Sequence, residues 1–155
     1  HPKNFFGVGD PERGFATVAV DWATVGIAPL GVDPALMLAS PVKWLELTPD
    51  EGRALIEPVL ETYLAGLRDA GWRGDEEQIR LTFLTCLGMG EAMRVAAIVF
   101  ARPEDQRRLN KLEQLLGHPV AEIYDRWGQA QDFYLEQEDK ALSLLRQRGQ
   151  PPKRW

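Results

Sequence analysis

The sequence predicts an α+β fold that is mainly helical, with one small β-hairpin near its beginning. Two strand-like runs lie close together early in the chain, and from residue 33 onward helix-start signals and helically spaced apolar residues recur. With 155 residues, 45% of them hydrophobic, the chain can form one domain that buries roughly 68–70% of its unfolded surface. We divide this single domain into a hairpin and loop (1–40), a helical subdomain (41–148) and a tail (149–155).

The hairpin is predicted from residues 5–8 and 15–20, which are rich in β-branched and aromatic side chains. The intervening residues 9–14 are a dense cluster of turn formers, GDPERG. Two such runs around one turn are typical of an antiparallel ribbon.

The pairing within this hairpin brings two polar residues toward its open end. If Val8 lies opposite the start of the second strand, Asn4 falls opposite a residue between Ala19 and Asp21, with facing Cβ atoms roughly 5 Å apart. An amide oxygen and a carboxylate oxygen converging there would suit Mg²⁺. Asn and Asp also end strands simply because they bond free backbone groups, and spacing alone leaves both interpretations open.

The first predicted helix begins at Asp33 and Pro34, which suit the N-cap and the first helical position, and it runs through Ala39. This gives Asp33 a local structural task. Residues 23–32 contain three helix breakers and predict an ordered loop. Residues 42–47 are interpreted as a connector or short extended piece.

The second helix has the clearest start signal, a capping box in which Thr48 is the N-cap and Glu51 is the third helical residue. We expect it to run to about Ala70 and to end at Gly71. Pro58 lies inside this span and predicts a kink or a break, because an interior proline costs about 3 kcal/mol. The predicted apolar face consists of Leu55, Val59, Tyr63 and Leu67.

A third helix is predicted to start at Asp75, with an interruption at residues 88–90, where two glycines predict either a bend or a close helix–helix approach. Residues 103–116 form an amphipathic pattern that Gly117 ends. A long helix follows from Val120, with a weak point at Gly128 and fraying expected over 146–155. Its predicted apolar stripe comprises Ile123, Tyr124, Trp127, Gln131, Tyr134, Leu142 and Leu145.

Composition excludes several functional classes. The 18 basic and 23 acidic residues give a net charge of −5, which argues against nucleic acid as a partner. No apolar run approaches the roughly 18 residues of a membrane span, and no secretory signal is visible. Cys86 is the single cysteine; we expect a buried thiol in a reducing compartment, so the cytoplasm is the expected location.

The order of motifs resembles a known family. His1-Pro2-x-Asn4, a hairpin, Val20-Asp21-Trp22 and then Gly26-x-x-Pro29-x-Gly31-x-Asp33 resemble the second half of the active site in the aminoglycoside phosphotransferase and choline kinase family. Those proteins are small-molecule kinases with a protein-kinase-like fold. Their pattern runs His-x-Asp-x-His-Pro-x-Asn, two strands, Ile/Val-Asp-Trp/Phe, and a Gly-rich stretch ending in Asp-Leu-Ala. The match covers about the first 40 residues.

By this resemblance, Asn4 and Asp21 would hold Mg²⁺ against the phosphates of ATP. His1 and Asp33 would have supporting roles in the loop and in the closing motif. In the family the small-molecule substrate lies against the helical subdomain, so Glu91 is a candidate substrate contact. A charged residue beside a glycine bend also fits a solvated or internally paired side chain.

The departures from the family pattern are equally specific. The catalytic Asp of the family lies five residues before the metal-binding Asn, a position that would fall before His1. The nucleotide-binding lobe and its Lys are also missing, Ala23 replaces a polar residue, and the closing motif reads Asp33-Pro34-Ala35. The chain therefore resembles the C-terminal lobe of a phosphotransferase without its N-lobe, a fragment that we expect to be inactive alone.

The alternative is a non-catalytic helical domain that binds a ligand or a partner, with the kinase-like motif as a structural remnant. In either case, surface that upstream residues would cover, including Phe5 and Phe6, would favour self-association if exposed. The acceptor substrate is left open, because a pocket built from helices has no readable sequence code.

Overall fold

The fold is seen in a computed structural model of the chain, in which a two-stranded antiparallel sheet precedes a helical body. The structure describes residues 5–10, 14–19, 26–90, 92, 95 and 105–149. Within these residues the mainly helical composition and the small sheet are both as predicted.

The hairpin consists of β1 (Phe5–Asp10) and β2 (Gly14–Ala19), paired antiparallel. Val8 lies opposite Ala16, which confirms the register that the sequence suggested. β1 is two residues longer than expected. Gly14 has φ 85°, a left-handed conformation that glycine adopts without a steric cost and that suits the end of a tight connection.

Helix α1 (Val32–Lys43) is longer than the predicted helix, which ends at Ala39, and it continues through Pro41. Its backbone ends in a turn where Glu46 N donates to the carbonyl of Pro41 (2.8 Å) and Leu45 has φ 62°. This is a Schellman-type end with leucine where glycine is usual. Residues 42–47 are therefore not an extended connector, and the division drawn at residue 40 falls inside a helix.

Helix α2 (Pro49–Asp69) begins as predicted. Glu51 N donates to Thr48 Oγ1 (3.3 Å), and Thr48 N donates back to the Glu51 carboxylate (2.8 Å), which completes the capping box. At the other end Gly71 has φ 87°, and Trp72 N donates to the carbonyl of Leu67 (2.9 Å). The helix is continuous through Pro58, so the expected break does not occur.

The buried face of α2 differs from the prediction by one residue. Ile56, Leu60 and Leu64 are 4% exposed or less. The predicted row of Leu55, Val59, Tyr63 and Leu67 is instead exposed or partly buried. Both rows are apolar at i, i+4 spacing, so periodicity alone does not distinguish the core from its edge.

Helix α3 (Glu76–Thr85) starts at the predicted cap, since Gln78 N donates to Asp75 Oδ1 (3.1 Å). It continues into one π-helical segment, Cys86–Gly90. A Cβ added to Gly88 in that segment would lie only 2.6 Å from the backbone nitrogen of Glu138. Gly88 therefore marks a close helix approach, one of the two expected outcomes, whereas a Cβ at Gly90 would meet nothing within 4 Å. Cys86 is partly rather than fully buried.

Helix α4 (Gln106–Leu116) is capped by Asp105, whose side chain accepts from Arg107 N (3.0 Å), and it ends at Gly117 with φ 73°. The predicted stop is confirmed, whereas the predicted start at Pro103 lies outside the described residues. None of its side chains is fully buried, so the helix packs only on the edge of the core.

Helix α5 (Val120–Gly149) is the central element, because each of the four helices described above and the π segment contact it. It is 30 residues long and is not broken at Gly128, and it continues past the point where fraying was expected. Its buried positions follow alternating steps of four and three residues. They are Ile123, Trp127, Ala130, Tyr134, Gln137 and Ala141, with Phe133 beside them.

Of the predicted stripe of α5, Ile123, Trp127 and Tyr134 are buried in the core. Tyr124 and Gln131 are partly buried, and Leu142 and Leu145 are 40% and 48% exposed. Trp127 Nε1 donates to the carbonyl of Lys43 (2.9 Å), and the Tyr134 hydroxyl donates to the carbonyl of Ala39 (3.0 Å). These bonds fasten the C-terminal half of α1 to α5. They explain why α1 extends past the proline where its local sequence suggests an end.

Candidate functional site

The predicted metal site depends on the strand ends of the hairpin. Phe5, the first residue of β1, is paired with Ala19, the last residue of β2. In the sequence Asn4 directly precedes Phe5, and Asp21 follows Ala19 by two positions. The register therefore places Phe5 and Ala19, the described residues nearest in sequence to the two proposed ligands, directly opposite each other.

The ligands themselves, Asn4 and Asp21, lie outside the described residues, as do His1 and Glu91. Their roles remain predictions. Within the part of the chain that the structure describes, no group of three or more His, Cys, Asp or Glu side chains converges to hold a metal ion.

The closing part of the motif is described, and there the structure corrects one assignment. α1 begins at Val32 with Gly31 as its N-cap and without a side-chain cap, so Asp33 is not the cap. A turn from Pro29, whose carbonyl accepts from Val32 N (3.3 Å), starts the helix earlier than expected. Asp33 is exposed in the first helical turn, where a carboxylate interacts favourably with the helix dipole.

Gly31 is the position at which the motif requires glycine. Its φ is 98°, and an added Cβ would lie 2.8 Å from the carbonyl oxygen of Ile79 and 3.2 Å from Phe83 N. The loop thus passes directly against α3 before α1 begins. This contact fixes the entry to α1 relative to the helical body.

A second feature, an apolar surface groove of about 580 Å³, lies between α1 and α2. It falls in the size range of ligand-binding clefts. Met37 and Leu55, one from each helix, are both 37% exposed, so the groove is open to solvent. α1 and the turn after it contribute Pro34, Met37, Leu38, Pro41 and Leu47, and α2 contributes Leu55, Pro58, Val59, Thr62 and Tyr63.

The helices that form this groove carry most of the net negative charge of the chain. Residues 32–69 contain seven acidic and three basic residues, a net charge of −4, compared with −5 for all 155 residues. The acidic residues are Asp33, Glu46, Asp50, Glu51, Glu57, Glu61 and Asp69, and the basic ones are Lys43, Arg53 and Arg68.

Ion pairs tie α2 to neighbouring helices. Arg80 of α3 contacts Glu57 (2.8 Å) and Glu61 (3.0 Å). Arg68 binds Glu76 through two hydrogen bonds of 2.6 and 2.7 Å, and these bonds lower the pKa of the Glu76 carboxyl below its ordinary value. Because all these groups are partly exposed, such pairs orient the helices more than they stabilise them.

Sequence reasoning missed the groove. Its α2 wall contains Leu55, Val59 and Tyr63, which were assigned to the core because they form an apolar stripe. One signal could have found it. Ile56, Leu60 and Leu64 form a second, adjacent stripe, and a helix with two such rows has more apolar surface than one core contact covers.

No described helix combines the length and the apolar character needed to cross a membrane. Comparison with known proteins gives no assignment, since no protein-family model, no curated protein and no solved structure matches this chain. Its function is therefore inferred from its own residues.

Proposed function

We propose that this chain is part of an ATP-dependent phosphotransferase that transfers a phosphoryl group to the hydroxyl of a small molecule. The proposal rests on the motif order from His1 to Asp33 and on its resemblance to the aminoglycoside phosphotransferase and choline kinase family. We further propose that it works in the cytoplasm with Mg²⁺ and ATP.

The observation that supports this proposal best is the pairing of Phe5 with Ala19. A metal site built from Asn4 and Asp21 requires that the chain segments leading to both residues be neighbours, and this pairing satisfies that requirement. If the register of β1 against β2 were shifted, the chain segments that lead to Asn4 and Asp21 would be farther apart by about 3.4 Å for each residue of the shift.

In the proposed site Asn4 and Asp21 would hold Mg²⁺ through an amide oxygen and a carboxylate oxygen, ligands that this hard cation prefers. The ion would neutralise charge on the phosphates, the main electrostatic requirement of phosphoryl transfer. Asp33 would support the closing loop from the first turn of α1. Glu91 is the proposed contact to the acceptor.

The chain does not supply every part of this chemistry. The Asp that accepts the proton of the acceptor hydroxyl in the family has no counterpart among the 155 residues, and neither does the phosphate-binding Lys. The isolated chain should therefore show no turnover. Activity should require a polypeptide that also supplies a proton-accepting Asp and a phosphate-binding Lys.

The test is ATP-dependent phosphorylation by the full encoded polypeptide, measured as ADP release with a panel of hydroxyl-bearing small molecules. Asp21→Asn should lower turnover at least about 100-fold, the scale of losing one key electrostatic group. Asp125→Asn is the matched control. Asp125 is an exposed carboxylate of α5 that, among the described residues, accepts a hydrogen bond from its near neighbour Gln129 (2.9 Å).

Two results would count against the proposal. Turnover by the isolated chain would contradict the missing-base argument, and near-normal turnover of Asp21→Asn would remove Asp21 from the metal site. Absence of any ADP release from the wild-type polypeptide would favour the alternative, a non-catalytic helical binding domain.

A further inference from the structure

None of the residues to which we assign a role in phosphoryl transfer is among the described residues that line the groove between α1 and α2. Its lining begins at Pro34, the residue that follows Asp33, and continues along α2 to Tyr63. Eight of its ten lining residues are aliphatic, Met or Pro, and only Thr62 and Tyr63 carry side-chain oxygens. Such a surface binds by apolar contact, with few hydrogen bonds to a ligand.

The shape of the groove fits an elongated occupant. Its lining extends from Pro34 to Pro41 on α1 and from Leu55 to Tyr63 on α2, which corresponds to about 10–12 Å at 1.5 Å per residue. That is about two turns of an α-helix. Met and Leu side chains at the exposed edge can adapt to the ridge of a docking helix.

The two helices that form the groove are net acidic, with Glu57 and Glu61 paired to Arg80 of α3, and this charge favours a basic occupant. The segment 32–69 has a net charge of −4, and Asp33, Glu51 and Asp69 are exposed carboxyl-bearing residues on the two helices that form it. A partner with basic residues flanking its apolar stripe would be attracted, and an acidic one would be repelled.

We propose that this groove is a docking site for a basic amphipathic helix of a partner protein. Apolar residues at i, i+3 or i+4 and i+7 of the partner would occupy the groove, and Lys or Arg on either side would face the acidic helices. The interaction does not depend on the phosphotransferase proposal, because it uses neither the hairpin nor a nucleotide.

The experiment uses the 155-residue chain without nucleotide or Mg²⁺. The probe is a fluorescein-labelled, helix-forming Leu/Lys peptide of about 14 residues, and binding is measured by fluorescence anisotropy. A Leu/Glu peptide with the same apolar spacing is the charge control. We expect saturable binding of the Leu/Lys peptide, at least 10-fold weaker binding of the Leu/Glu peptide, and weaker binding as salt rises.

The variant Met37→Arg with Leu55→Arg places two charges in the groove at positions that are already 37% exposed. It should reduce affinity for the Leu/Lys peptide at least 10-fold. Leu145→Arg is the matched control, because Leu145 is 48% exposed on α5 and does not line the groove. Circular dichroism verifies folding, and peptide-induced amide shifts at Val59 and Thr62 locate the site if the double variant unfolds.

Any one of four results would overturn the proposal. The first is that the Leu/Lys peptide does not bind at concentrations up to about 1 mM. The second is that both peptides bind equally, and the third is that Leu145→Arg weakens binding as much as the double variant does. Binding with amide shifts confined to elements other than α1 and α2 would also reject this groove as the site.

Discussion

Gly88 shows how a single missing side chain determines the packing of the core. A Cβ at this position would lie 2.6 Å from Glu138 N and 2.9 Å from the carbonyl oxygen of Tyr134. Both are backbone atoms of the central helix α5, which cannot move as a side-chain tip could. The π segment and α5 approach each other closely because residue 88 has no Cβ.

We therefore predict that Gly88→Ala destabilises the protein by about 1–3 kcal/mol, the usual cost of overpacking. Gly128→Ala is the matched control, because a Cβ there would meet nothing within 4 Å; it should stabilise α5 by about 0.5–1 kcal/mol. Urea unfolding measures both. Equal effects of the two substitutions would contradict the close-approach explanation.

At the scale of the element, Asp75 caps α3 and also links it to the far end of α5. One carboxylate oxygen accepts from Gln78 N (3.1 Å), and the other accepts from the Arg148 guanidinium, which also donates to Gln78 Oε1 (3.0 Å). The bond from Gln78 N, with a further contribution from Arg148, holds the pKa of the Asp75 carboxyl below its ordinary value.

A lowered pKa predicts the direction of a pH dependence. The stabilisation by the Asp75 carboxylate should be complete above its ordinary pKa near 4 and should disappear as pH falls through the lower folded-state pKa. Asp75→Asn keeps a capping oxygen but has no charge to titrate. We predict that the stability difference between wild type and Asp75→Asn narrows between about pH 5 and pH 2.

Thermal unfolding at several pH values measures this difference. Raising the salt concentration to about 0.5 M should reduce the contribution of Arg148 to this stability difference. The ion pair between Arg148 and Asp75 is partly exposed, so salt screens it. A difference that stays constant from neutral to acidic pH would show that the carboxylate charge contributes nothing.

At the scale of the whole molecule, the features predicted correctly are those with local chemical causes. The capping box at Thr48, the cap at Asp75 and the glycine stops at Gly71 and Gly117 all depend on residues within a few positions of each other. The hairpin register likewise follows from its own turn and strands.

The errors come from tertiary contacts that no local pattern contains. α1 continues beyond Pro41 because side chains of α5 donate hydrogen bonds to its backbone carbonyls. One example is the bond from Trp127 to Lys43, two residues more than 80 positions apart in the sequence. Leu45 is held at positive φ while its carbonyl accepts from Arg126 (2.8 Å).

The candidate sites divide in the same way. The order of the residues proposed to bind Mg²⁺ is read from the sequence, and the hairpin register is compatible with it, although Asn4 and Asp21 lie outside the described residues. The groove could not be predicted from either helix alone, because its walls belong to α1 and α2 and only their packing creates it.

The most direct test of the proposed metal site is paramagnetic broadening of backbone amide resonances by Mn²⁺, used in place of Mg²⁺ on the ¹⁵N-labelled chain. Ions held by Asn4 and Asp21 should broaden the amides of Phe5 and Ala19 far more than that of Gly14, at the turn end of the ribbon about 17 Å away. Asp21→Asn should abolish the broadening. Equal broadening along the hairpin, or broadening that Asp21→Asn leaves unchanged, would contradict the metal site.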